Sequence, residues 1–159
     1  MDVQNIRVDR MRYSKNTQSS RLALLAIVLN VLFFISIYKY VCKDTSRSDE
    51  FYYTALMGGS ILYNLVFMLA TFLSSEGVKN YKTNYSYILV GLAASQIVRI
   101  FMYPVSAHNQ PGLMGDGQFI LLIIFLAGSA LCLVGAALIN LSKSRALAAH
   151  TASLETGKA

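Results

Sequence analysis

Four long apolar stretches, Leu22 to Tyr38, Phe51 to Leu73, Tyr87 to Tyr103 and Phe119 to Leu141, fill most of this chain and limit its fold more than any other feature. Each reaches or approaches the ~20 residues that a helix rising ~1.5 Å per residue needs to cross a ~30 Å hydrocarbon layer. None shows the apolar-polar alternation of a strand. Backbone N–H and C=O groups find no water inside lipid, so the helix, which satisfies them within one segment, is the structure these stretches predict. The expected fold is therefore all-α and integral to a membrane, a four-transmembrane-helix bundle. With 159 residues, 55% of them apolar, little is expected outside the bilayer beyond tails and short connections.

The basic residues set the expected orientation. Arg7, Arg10, Arg12, Lys15 and Arg21 precede span one, Lys79 and Lys82 follow span two, and Lys143, Arg145 and Lys158 follow span four. Only Lys39, Lys43 and Arg47 lie in the connection after span one, and the connection after span three has no Lys or Arg. The positive-inside rule then predicts that both termini are cytoplasmic. A net charge of +6 spread beside membrane spans does not form the continuous basic face that nucleic acid requires, so no nucleic-acid partner is expected. The segment from Arg7 to Thr17 is read first as a topology determinant suited to anionic lipid headgroups and second as a protein-docking tail. Span one is expected to be retained, because Tyr38-Lys39-Tyr40-Val41-Cys42-Lys43 offers no small-x-small cleavage site.

Three regions follow: a basic cytoplasmic arm over 1–20, a transmembrane domain over 21–141 and a cytoplasmic tail over 142–159. Ser19 or Ser20 is the expected cap of span one, and Ser48 or Asp49 of span two. Gly77 is read as a stop for span two. From Pro104 the chain is expected to leave regular helix, since the stretch to Gln118 holds both prolines and three glycines. The Ala-rich run to Leu154 is expected to carry span four on into water until Gly157. Cys42 and Cys132 fall at different membrane levels, which excludes a disulfide framework.

Polar residues inside the spans are the best pointers to function, because hydrocarbon tolerates them only with partners. Met57, Asn64 and Thr71 recur every seven residues in span two, with Tyr53, Ser60 and Phe67 at the complementary position. That face is expected to meet protein, with Asn64 reaching Asn30 in the antiparallel span one. In span three Gln96, Arg99 and Tyr103 share a face, with Ser95 beside them. Arg99 lies near the outer end and is expected first to snorkel to headgroups or to pair with acids of the outer connections. The other readings are an anion or polar-solute site at the outer mouth and a docking contact to another subunit. Asn30, Ser60, Asn64, Ser95, Gln96, Arg99 and Tyr103 are thus the candidate helix-contact or solute-facing residues. Gly91 with Ser95, and Gly128 with Cys132, Gly135 and Ala136, are read as close-approach sites, within the chain first and to a separate subunit second, and the pair Gly58-Gly59 either serves the same purpose or eases a bend near the outer leaflet.

Sharper chemistry is not supported. His108 and His150 lie far apart and away from any cysteine pair, so no metal site is expected. The glycines at 112, 115 and 117 lack the Lys-Ser/Thr ending of a phosphate loop. No catalytic set can be assembled, no cofactor is expected, and no Asp or Glu lies within a span to couple a cation.

At Tyr13-Ser14-Lys15-Asn16, Ser19-Ser20-Arg21-Leu22-Ala23-Leu24-Leu25-Ala26 and Phe72-Leu73-Ser74-Ser75-Glu76-Gly77-Val78-Lys79-Asn80-Tyr81 the chain resembles small uncharacterised four-span proteins of anaerobic Gram-positive bacteria. The resemblance implies a bacterial cell membrane and an association with solute-transport systems, and supplies no catalytic residue. The first functional expectation is a non-enzymatic accessory or scaffold subunit packed against a larger membrane protein. The alternative is a small self-associating transporter or channel for a neutral or anionic solute, its route lined by the Asn64 and Arg99 faces.

Overall fold

The computed structural model describes residues 15–41, 50–105, 108–109 and 114–156, with side chains described for all of these except 38–41, 50–57 and 154–156. Four α-helices follow in chain order: α1 (Thr17–Val41), α2 (Glu50–Lys79), α3 (Asn84–Ile100) and α4 (Asp116–Thr156). All four are long and apolar enough to cross a membrane, α3 being continued by a π turn over Phe101–Val105. No strand occurs among the described residues.

The helices form a ring in which neighbours run antiparallel. Helix α4 packs most extensively, against α1 and α3, while α2 closes the ring from the other side and barely touches α4 across the diagonal. The seam between α2 and α3 is the thinnest between adjacent helices. Ala23, Ala26, Phe67, Leu89, Ala93, Leu133, Ala136 and Ala137 belong to one buried cluster. Phe33, Ile37, Met114, Leu122 and Leu126 form a second one at the end away from the termini.

Burial is inverted relative to a water-soluble bundle. Asn30, Gln96, Ser129 and Asn140 are fully buried, whereas Leu62, Leu65, Val66 and Leu69 turn outward along α2 and Leu131 is 72% exposed on α4. Exposed apolar faces this continuous mark a surface made for lipid or for another apolar partner. Between helices in lipid the driving force is packing and hydrogen bonding rather than exclusion of water. Small residues serve that purpose unevenly. A Cβ on Gly128 would stand 3.3 Å from Leu29 and one on Gly135 3.7 Å from Leu22, so both glycines seat α4 against α1. Among the described residues nothing lies within 4 Å of that position at Gly58, Gly59 or Gly91, so no described helix of this chain approaches closely there, contrary to the first expectation for them.

The helices run past the apolar stretches that announce them. Residues 17–20, assigned from sequence to the arm, already belong to α1. Neither Ser19 nor Ser20 caps it. Asn16 holds the position before the first turn, and Ser19 is buried inside the helix, donating to the Ala136 carbonyl at 2.5 Å. Gly77 does not stop α2, which continues to Lys79; it is there for space, since a Cβ would collide with the Tyr85 ring. The turn that follows places Tyr81 at φ 59°, with the Lys82 N–H donating to Gly77 O and the Tyr81 N–H to Val78 O.

Pro104 does not start the irregular connection but sits inside the helical continuation of α3, buried. Proline lacks an N–H and its ring clashes with the carbonyl four residues back in an α-helix. The wider π turn gives the ring room beside that carbonyl and carries the helix as far as Val105. Helix α4 spans 41 residues, about 60 Å at the usual rise, roughly twice a hydrocarbon layer, and reaches Thr156 as the Ala-rich composition predicts. The expectations for Cys42, for the caps Ser48 and Asp49 and for residues 1–14 concern positions outside the described residues. For Tyr53 and Met57 only the backbone is described.

Candidate functional site: a buried arginine among amides and aromatic rings

Three helices bring polar side chains to one point in the ring. Helix α3 carries Gln96 and Arg99 one turn apart, so both project from the same face. Asn30 comes from α1 and Asn64 from α2, which run antiparallel and cross at this depth. Asn30 Nδ2 donates to Asn64 Oδ1 at 2.9 Å, the pairing that their positions suggest. Gln96 Nε2 donates to Asn30 Oδ1 at 3.0 Å, and Arg99 Nη1 donates to the same oxygen at 2.7 Å. Nη1 also reaches Gln96 Oε1 at 3.2 Å, and Nη2 reaches Asn64 Oδ1 at 3.3 Å. Asn64 Nδ2 is held by the Ser60 carbonyl at 2.7 Å.

Aromatic rings complete the enclosure. The Arg99 guanidinium carbon stands 4.4 Å from the centre of the Tyr63 ring, 4.8 Å from that of Phe33 and 5.8 Å from that of Tyr103. Ring faces attract a cation within about 6 Å, and the attraction grows as water is removed. Tyr63 stacks on Phe67 and joins its hydroxyl to Ser95 Oγ at 2.6 Å. Since Ser95 already donates to the Leu92 carbonyl, Tyr63 is the donor in that bond. The Tyr63–Ser95 contact latches the thin seam between α2 and α3.

Arg99 does not snorkel. It is 4% exposed, and it forms no salt bridge among the described residues. The reason is geometric: a guanidinium at this position finds amide oxygens on α1 and α2 within reach, and spreading its charge over them and over three ring faces replaces the headgroups. Asp116, one of the acids available in the outer connections, is 93% exposed and faces His108 at 3.9 Å instead. A docking role in which Arg99 itself touches another subunit does not fit its burial.

Of the seven candidates read from sequence, Asn30, Asn64, Gln96 and Arg99 converge and Tyr103 flanks them. Ser60 takes part through its backbone carbonyl, and Ser95 acts one step away on Tyr63. Tyr63 and Phe33 were not among the candidates. Their signal was present in spacing, since Phe33 follows Asn30 by one helical turn and Tyr63 precedes Phe67 by one, each sharing a face with a residue of interest.

A second polar set ties the helices together at the end that holds the termini. Asn16 Nδ2 donates to Asn140 Oδ1 at 3.2 Å, and Asn140 Nδ2 donates to Ser86 Oγ at 2.8 Å and to the Lys82 carbonyl at 3.1 Å. The Asn16 N–H donates to Lys79 O at 2.9 Å, and Lys143 reaches Gln18 at 2.8 Å. Midway between the two sets, Ser129 donates to the Ala26 carbonyl at 3.1 Å. No group of three or more His, Cys, Asp or Glu side chains able to hold a metal occurs among the described residues. In comparisons with protein-family models, with curated proteins and with solved structures, nothing matches this chain.

Proposed function

We propose that this chain is an integral protein of a bacterial cell membrane, with both termini in the cytoplasm, and that it serves as a non-enzymatic accessory or scaffold subunit of a larger membrane transport assembly. One observation supports this reading above others. Asn30, Asn64, Gln96 and Arg99 are bonded to one another inside the ring and Ser129 donates to the Ala26 carbonyl, while the outward faces are apolar along their length. A bundle locked by internal amides presents a rigid, hydrophobic exterior, which suits packing against other spans better than cycling between conformations. The long α4, which runs about a dozen residues beyond Ser144, where it donates to the Tyr81 carbonyl in the α2–α3 turn, adds a projection suited to contact outside the bilayer.

Orientation is tested by single cysteines. Cysteines introduced at Ser14 or Ser153 in a Cys42→Ser, Cys132→Ser background should resist an impermeant maleimide in intact cells and react after the membrane is opened. Reaction in intact cells would overturn the cytoplasmic assignment.

Partnership is tested by isolation in a mild detergent, which should recover a larger membrane protein in fixed ratio. The purified chain alone in liposomes should give no solute flux above protein-free vesicles. A second reading, a small self-associating transporter for an anionic solute, is favoured by the charge of Arg99, which has no acidic partner among the described residues. Flux from liposomes holding this chain alone, lost on Arg99→Lys, would replace the accessory reading with that one.

A further inference from the structure

We infer that the Arg99 cluster is a binding site for one small monovalent anion, a halide or a short carboxylate, held on the Nε–Nη2 edge of the guanidinium. The inference is independent of whether the chain is an accessory subunit or a transporter.

The cluster is rich in donors and poor in acceptors. A guanidinium and three primary amides bring roughly eleven N–H groups to about six lone pairs on three amide oxygens. Asn30 Oδ1 already receives two donors, and so does Asn64 Oδ1. Arg99 Nε is buried with no partner. Nη2, which shares an edge with Nε, makes the longest of the guanidinium's bonds, 3.3 Å. Two parallel N–H groups on that edge are the fork with which arginine takes a carboxylate.

Charge points the same way. Arginine stays protonated in proteins, so the cluster carries a full positive charge. Buried charges are ordinarily paired. Amide dipoles and ring faces lower the cost of this one without cancelling its charge, and an anion on the open edge would do so. The two acids with described side chains are both turned away, Glu76 to Lys79 and Asp116 to His108. Tyr63 and Tyr103, whose rings lie over the guanidinium, are themselves only half-buried, and Tyr63 lies on the thin α2–α3 seam.

The test is the thermal midpoint of the full chain, purified in a neutral detergent, in sodium chloride, sodium formate or sodium gluconate at one total ionic strength. A ligand bound only by the folded state stabilises it with the logarithm of its concentration. The midpoint should therefore rise by a constant step for each tenfold increase of chloride or formate above its dissociation constant, with gluconate too bulky to act. Gln96→Glu places a carboxylate on Arg99 from within, and it should abolish the chloride dependence while raising the midpoint in gluconate. Asn30→Asp supplies the same charge from α1 and serves if Gln96→Glu does not accumulate. Equal midpoints in all three salts would overturn the site. An undiminished chloride effect in the carboxylate variants would overturn it as well, by placing the ion elsewhere.

Discussion

Asn30→Leu is expected to lower the stability of the folded bundle by about 3 kcal/mol, the upper range for a hydrogen bond to a charged group. Leucine keeps the branching of asparagine at Cγ but replaces the planar amide with two bulkier methyl groups, so part of the cost at this fully buried position is steric. What is lost is the oxygen that accepts from both Arg99 and Gln96, together with the amide that donates to Asn64. Arg99 is left facing hydrocarbon with its shortest bond gone. A double-mutant cycle gives the decisive reading: replacing both Asn30 and Arg99 by Leu should cost clearly less than the sum of the single changes, because the second removes the charge that the first left stranded. Unfolding by SDS in mixed micelles, followed by circular dichroism, measures all three. A single change within error of wild type, or additive costs, would mean that the cluster does not stabilise the fold.

The four-helix architecture was largely legible because apolar stretches of this length without strand alternation bond their backbone most simply as helices. The Asn30–Asn64 pair was legible too, since two amides at matching depth on consecutive antiparallel helices have few other partners. Helix ends were harder. Thr17–Ser20 looks polar and arm-like, yet Ser19 is polar because it bonds to Ala136 of a helix distant in sequence, and no local pattern announces that. Pro104 looked like a terminator because the usual rule concerns α-turns, whereas a π turn accepts it. Arg99 was misplaced for a similar reason. Snorkelling is decided by the distance to headgroups, but the outcome here depended on Asn30, Asn64 and three rings assembled from other helices. Gly77 reads as a helix stop until the Tyr85 ring that fills its space is seen.

Arg99→Glu is expected to prevent accumulation of the folded protein, whereas Arg99→Lys should fold with a reduced midpoint. The two substitutions separate an internal arginine from a headgroup-facing one. At a lipid interface lysine would serve nearly as well as arginine, since both long side chains extend a charge to water. Inside the ring, the oxygens of Asn30, Gln96 and Asn64 all converge on the guanidinium. A carboxylate there would face the amide oxygens that now accept from the guanidinium, with the cation gone, and an ionised acid taken out of water costs several kcal/mol even after relaxation. An ammonium keeps the charge but lacks the planar fork that spans α1, α2 and α3 together, so it holds fewer of those oxygens. The ordering wild type, then Lys, then Glu, read from membrane-inserted yield and from the midpoint in detergent, is the expected result. Equal yield and midpoint for Glu and wild type would return Arg99 to the headgroups and remove the central tie between the three helices.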